Sequence, residues 1–223
     1  MHSGRAGFVD GFGIAVLSVG VLVMALGCLG VRHLRAGSEI YAEGKVWGRL
    51  LGATAGAAFA AVVEESLFRG VLLRALLRER RMLTAIVVAD IVYAAFHFLD
   101  GRVQVGFGFD PLVGLRAAGE CLGYSLVQPT AAVKALGLLA VGGVLCLAYT
   151  RSRSLPLCIG LHAGWVFALK ALNLVFFSSV PGRLEWLYGS RGLIDGLLVW
   201  VMAAPVGAYV WLLTSPRAKQ RTS

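Results

Sequence analysis

Residues Phe8 to Val31 read FVDGFGIAVLSVGVLVMALGCLGV, twenty-four positions with a single charged side chain, Asp10. At about 1.5 Å of rise per residue, a helix over this run outreaches the roughly 30 Å hydrocarbon core of a bilayer. The run stops at Arg32-His33-Leu34-Arg35 rather than at a small-residue cleavage site, so it is expected to be kept as a first transmembrane span.

Five further apolar stretches lie outward from it: Trp47 to Leu73, Met82 to Leu99, Ala131 to Tyr149, Leu155 to Phe177 and Gly192 to Leu213, each bounded by charged or turn-forming residues. Trp47, Tyr149, Trp186, Tyr188 and Trp211 fall near the proposed ends, where amphipathic rings prefer the headgroup zone. Between the third and fourth stretches, Gly101 to Thr130 mixes Asp110-Pro111 and several glycines with the moderately apolar Leu112 to Val127. It reads as an interfacial helix, a re-entrant segment or a lid. No internal repeat, low-complexity tract or soluble domain breaks the pattern. The expected fold is therefore all-α, one polytopic membrane helix bundle over residues 1–223 with about six transmembrane helices plus that segment.

Composition agrees. Apolar residues make up 58% of the chain, against roughly 45–50% in soluble domains, and the mean hydropathy is +0.77. Charged residues, only 15%, cluster between the apolar stretches, so the lipid bilayer is the expected surrounding. The net charge of +9 comes from basic residues placed mostly at span ends, where anionic headgroups attract them; this argues against nucleic acid as a partner. Ten basic residues fall in loops on the side of the N-terminus and nine on the other, too small a difference to orient the protein. The expected location is the cell (cytoplasmic) membrane, as a multi-pass protein. Cys28, Cys121, Cys146 and Cys158 form no close pair and read as small packing residues.

Ionisable side chains inside the spans set this chain apart, because a charge at mid-bilayer costs a few kcal/mol even on the most lenient scale. The second span carries Val63-Glu64-Glu65-Ser66-Leu67-Phe68-Arg69, the third Asp90, Tyr93 and His97, and the fifth His162 and Lys170. Glu65 and Arg69 stand four apart on one helix face, acid before base, the favourable order for an ion pair. Glu64 points about 100° away and has no base at a helical-neighbour spacing, so its partner must come from another segment. Ala57, Ala60 and Ala61, one to two turns earlier, would let a neighbouring helix approach closely.

Depth matches Glu64 to His97. Fourteen residues separate Glu64 from Arg78 and sixteen separate His97 from Arg81, placing both about 21–24 Å from the hairpin that joins their spans. His162 stands nine residues beyond Arg153, about 14 Å, so a recess near Leu155-Pro156 is needed to bring it level. Each group alone has a plain reading, a structural ion pair or an interhelical hydrogen bond. Together, an unpaired carboxylate and two histidines point to general-base activation of water, with a proton relay of a proton-coupled transporter as the rival. Asp90, two turns before His97 on nearly the same face, is expected to make a structural hydrogen bond, with a part in organising a polar network as the alternative. Lys170 and Asp195 are expected to be interfacial or paired.

The segment Glu64-Glu65-Ser66-Leu67-Phe68-Arg69-Gly70 resembles the EExxxR signature of the CAAX protease and bacteriocin-processing family, also called the type II CAAX prenyl endopeptidase or abortive-infection family. Tyr93-Ala94-Ala95-Phe96-His97 resembles its second motif, FxxxH, with Tyr for the leading Phe. His162 followed by Val166 resembles the third, in which a histidine precedes Asn or a similar polar residue by four positions. Val166 departs from that pattern, since an isopropyl group donates no hydrogen bond to an oxyanion. The resemblance spans roughly residues 47–177 and implies a catalytic core there. It implies an intramembrane endopeptidase acting on a membrane-associated protein or peptide, in which Glu64 activates water with His97, His162 holds the water or stabilises the oxyanion, and Glu65 with Arg69 braces the site. The family carries both a metalloprotease label, with zinc, and a metal-free glutamate mechanism; the sequence has no HExxH spacing and leaves the metal open. A non-proteolytic relative, a scaffold or immunity protein, is the rival that Val166 raises.

Overall fold

The computed structural model describes residues 4–34, 45–99, 111–178, 184–189 and 193–213. Residues 101–110 of the ambiguous stretch, and the basic residues Arg35, Arg102, Arg183, Arg191, Arg217, Lys219 and Arg221, lie outside the described residues. The chain runs through α1 (Gly4–Cys28), β1 (Arg32–Leu34), α2 (Lys45–Glu65), a π-helical segment (Ser66–Leu73), α3 (Arg74–Glu79), α4 (Met82–Phe96), α5 (Val113–Leu126), α6 (Ala131–Ser152), α7 (Leu155–Val175), β2 (Phe176–Ser178), α8 (Glu185–Tyr188) and α9 (Val199–Leu213). This is an all-α membrane bundle. Four helices, Gly7–Cys28, Val46–Glu79, Ala131–Ser152 and Leu155–Val175, are long and apolar enough to cross a bilayer, and Met82–Phe96 and Val199–Leu212 are shorter apolar helices. Leu17, Val21, Leu51, Phe59, Val71 and Leu83 stand exposed on them, as lipid-facing side chains do.

Two boundaries differ from the sequence reading in ways that matter. The second span continues without a break to Glu79, because no proline or glycine-rich turn stops it before the arginine-rich hairpin. The last helix starts at Val199 rather than Gly192, since residues 193–198 fold as turns, with Leu193 at φ 58°. Of the ambiguous stretch, the described part is α5, fourteen residues, about 21 Å and too short to cross. Most of its side chains are exposed; only Cys121 and Ser125 are buried.

At the centre stands α7, packed against α1, α2 and α6, while α6 also packs on α4 and α9. The α6–α7 turn is tight: Arg153 adopts the left-handed conformation that ends α6, and the Ser154 hydroxyl accepts from the Leu157 amide at 3.3 Å to start α7. Against α1, α7 runs parallel, and Gly160 and Gly164 let the two backbones touch. A Cβ at Gly164 would stand 2.7 Å from the Phe12 carbonyl oxygen, so these small residues set the helix separation, as in membrane helices generally. The Trp165 indole donates to Ser18 Oγ at 3.1 Å across this contact.

Both helices leave the bundle at the same end. There β1 and β2 pair antiparallel, Arg32 opposite Ser178, a ribbon the sequence reading did not contain. Buried Arg32 donates to Asn173 Oδ1 at 2.9 Å. Burial lowers its pKa, and the charge of Asp195 opposes that shift.

Candidate active site

The paired acids stand where α2 passes into π-helical turns. That change of winding points Phe68, Arg69 and Leu73 inward from the segment that follows the acids; such turns are frequent at functional sites.

Glu65 faces the dry interior. It is fully buried, and its Oε1 accepts from Arg69 Nη1 at 3.0 Å and from His162 Nδ1 at 2.8 Å. The equally buried Arg69 also donates from Nη2 to the Gly142 carbonyl at 3.1 Å, and its guanidinium carbon lies 4.4 Å from the centre of the Tyr93 ring. A charge held away from water needs partners of this kind. Gly142 is part of the device, because a Cβ there would collide with the Asp90 carboxylate and stand 2.8 Å from Tyr93 Cδ1. Its missing side chain lets α4 and α6 close over the arginine.

Glu64 faces the open side. About a third of its side chain and of His97 is accessible, whereas His162 is 6% exposed. Glu64 Oε2 lies 3.5 Å from His97 Nε2 and 3.9 Å from His162 Nε2, and no hydrogen bond reaches that oxygen.

His97 owes its place to a short helix. Fifteen residues carry α4 only about 22 Å, so the helix ends inside the membrane and His97 follows its last turn. The imidazole turns back so that Nδ1 lies 2.9 Å from the Tyr93 carbonyl, and Lys134 Nζ donates to the His97 carbonyl at 3.2 Å. Backbone carbonyls at such an end need partners when no water reaches them.

These bonds set the imidazole tautomers. A carbonyl and a carboxylate accept only, so each Nδ1 carries a hydrogen, and in the neutral rings each Nε2 turns a lone pair toward Glu64. Among the described residues no group of three or more His, Cys, Asp or Glu side chains is disposed to hold a metal ion.

The structure brings Glu64, Glu65, Arg69, His97 and His162 together from three spans. The recess that His162 requires is real: Leu155 lies beside Gly70, where a Cβ would be 3.6 Å from Leu155 Cδ2, so the α6–α7 turn sits well short of the Arg78–Arg81 hairpin. Asp90 is a correction. It makes no hydrogen bond among the described residues, and its Oδ1 is buried without one, because the Gly142 and Gly143 pair leaves α6 with no side-chain donor to offer it. Lys170 is exposed and, among the described residues, has no ion-pair partner, whereas Asp195 acts on Arg32. Missed by sequence reasoning were Gly142 and Lys134, which bind the site only through backbone carbonyls, and the second role of Glu65 in orienting His162. The doublet Gly142-Gly143 inside a span was the one available signal.

A family model described as Type II CAAX prenyl endopeptidase Rce1-like matches residues 46–168, more than half of the chain and the whole of this cluster. No curated protein and no solved structure matches the chain.

Proposed function

Given that the chain belongs to the Rce1-like type II CAAX prenyl endopeptidase family, an integral membrane peptidase family, we propose that it cleaves a peptide bond of a membrane-associated protein or peptide with water activated by Glu64. The observation that carries the reading is Glu64 Oε2 facing both Nε2 atoms at 3.5 and 3.9 Å. Glu64 Oε2, His97 Nε2 and His162 Nε2 all accept hydrogen bonds, so the space between them favours a donor. A water molecule donates there to Glu64 and His97 and keeps a lone pair for attack.

In the reaction, the water oxygen bonds to the scissile carbonyl carbon as its proton passes to Glu64. The carbonyl oxygen becomes an oxyanion. In the reacting form His162 has taken up a proton at Nε2 from the water of the open side, its charge balanced through Nδ1 by Glu65, so that Nε2 donates to the oxyanion and keeps that proton when the intermediate collapses. The C–N bond then breaks, and Glu64 returns the proton to the leaving amine. With Val166 one turn beyond His162, that position adds no second donor, and the oxyanion rests on the imidazole. The expected setting is the cytoplasmic membrane.

The experiment compares the full chain with Glu64→Gln in liposomes carrying membrane-anchored peptides, reading products by mass spectrometry. Loss of cleavage in the nearly isosteric variant supports the reading. Biological activity retained by Glu64→Gln would instead assign a scaffold or immunity role, and solute flux driven by a pH gradient would assign transport. Phenanthroline is expected to leave cleavage intact; loss restored by added zinc would replace the metal-free base with a metal site.

A further inference from the structure

The helix Val46–Glu79 is longer than the hydrocarbon is thick. Its 34 residues rise about 51 Å, against roughly 30 Å of acyl chains, so part of it must leave the apolar layer. The part that leaves is marked by Gly70, where a Cβ would stand 3.6 Å from Leu155 Cδ2. Gly70 is therefore level with the α6–α7 turn. From there α3 runs on to Glu79, about 14 Å further, before the chain turns back into α4.

That projecting end carries charge that the protein does not use. Arg74 to Arg81 reads RALLRERR, four guanidiniums with one carboxylate, Glu79. The four arginines, Glu79 and Arg153 of the facing turn are exposed, and none has an ion-pair partner among the described residues. At the opposite end of the bundle, by contrast, Arg32 donates to Asn173 and Lys134 to the His97 carbonyl.

Arg74 and Arg153 flank one notch. Arg74 is one turn beyond Gly70 on nearly the same face, about 6 Å outward, and so overhangs the turn that carries Arg153. Arg78 follows a turn later on α3. Like charges gathered this way repel one another until an anion lies between them. Arg153 adds an independent sign. Its φ of 57° is the left-handed conformation with which helices commonly end on glycine. The backbone thus accepts strain for a long cationic side chain that pairs with no acid among the described residues.

Depth and apolar neighbours identify the occupant. The headgroup layer is about 5–7 Å thick on each side of the hydrocarbon, which puts Arg74 among the lipid phosphates when the α6–α7 turn lies at the boundary. Val71, Met82 and Leu83 are exposed beside the arginines, a mixture that suits the interface and not open water. We propose that the notch between α3 and the α6–α7 turn binds the phosphate of an anionic phospholipid, held by Arg74 and Arg153 with Arg78 above it. Guanidinium forks match phosphate oxygens in pairs. Bound there, the lipid ties the end of the π-helical segment to the α6–α7 turn. The inference is independent of the proteolytic reading and stands or falls without Glu64.

The full chain in detergent micelles is offered equal amounts of dioleoylphosphatidylglycerol and dioleoylphosphatidylcholine, and bound lipid is counted by native mass spectrometry. One phosphatidylglycerol is expected to be retained about tenfold more than phosphatidylcholine, and Arg74→Gln or Arg153→Gln should each cut that preference about fivefold. Arg49→Gln removes an exposed charge from the opposite end and should leave it unchanged. Arg153→Gly separates binding from folding, because glycine suits the left-handed backbone: the lipid-free protein should keep its Tm or gain slightly while the preference falls. Equal retention of the two lipids, or a preference that falls as much with Arg49→Gln, overturns the inference and leaves a diffuse basic surface. Release of the lipid by millimolar inorganic phosphate assigns the notch to a soluble anion and overturns it as well.

Discussion

Glu64 and Glu65 are adjacent on one helix and live in opposite surroundings. Glu65 is sealed from solvent and held by a guanidinium and an imidazole, while Glu64 is 30% exposed and faces two imidazole nitrogens with no direct hydrogen bond at its inner oxygen. The difference follows from about 100° of helix rotation between neighbours. A dry flank holds its charge by fixed partners and resists change; the other flank keeps a carboxylate that is partly exposed and has no such partners. One dipeptide thereby supplies both the brace and the group proposed to react.

The largest effects should divide along that line. Glu64→Gln is expected to lower cleavage about a thousandfold, within the range for losing a general base, yet leave unfolding in mixed micelles unchanged; equal damage to both would erase the distinction between the flanks. Arg69→Met should fall mainly on stability, with a smaller, several-fold loss of cleavage as Glu65 and His162 lose their brace. It strands a buried carboxylate, at a cost of about 3–4 kcal/mol by equilibrium unfolding. Pairing it with Glu65→Gln should recover much of that loss, because two neutral groups then share the space, although His162 loses its charged partner. A double variant no more stable than Arg69→Met would show that the ion pair is not what holds the dry flank.

Those flanks were only half legible in the sequence. Six apolar runs fixed the bundle, because length and hydropathy are local properties that the bilayer reads directly. Glu64 and His97 could be matched because they share one hairpin, so their depths count from a common origin. His162 could not, since its depth depends on how far the α6–α7 turn is recessed against Gly70, a tertiary stagger that no count along one helix contains. Lys134 escaped for a related reason: it grips a backbone carbonyl, and every residue has one. The parallel contact of α1 with α7 through Gly160 and Gly164 was written in small residues, but a glycine spacing names no partner. The π-helical turns after Glu65 left no mark in the hydropathy pattern at all.

A smaller effect sharpens the account of how the dry flank closes. Gly142→Ala puts a methyl into space held by the Asp90 carboxylate and the Tyr93 ring, and overpacking of this kind costs about 2 kcal/mol. Because Arg69 donates to the carbonyl of the same residue, the displaced backbone should also lower cleavage several-fold while the Glu64 flank stays open. Asp90→Ala in the same chain removes one of the two obstacles and should restore about half of the stability. Full restoration would assign the whole clash to the carboxylate, and none would assign it to the ring.

The smallest change tests the region farthest from the chemistry. Trp165 is one turn beyond the histidine turn of α7, and its indole donates to Ser18 on α1 at 3.1 Å. Hydrogen bonds between membrane helices average about 0.6 kcal/mol, since the unfolded chain in the bilayer finds other partners. Ser18→Ala should therefore lower stability by about that amount and leave cleavage unchanged. The glycine contacts, not this bond, are what seat α7 on α1: a Cβ at Gly164 would meet the Phe12 backbone at 2.7 Å. A clear fall in cleavage with Ser18→Ala would mean that the position of His162 is set from the α1 side as well as by Glu65, and the contrast between the two flanks would then have to include a third helix.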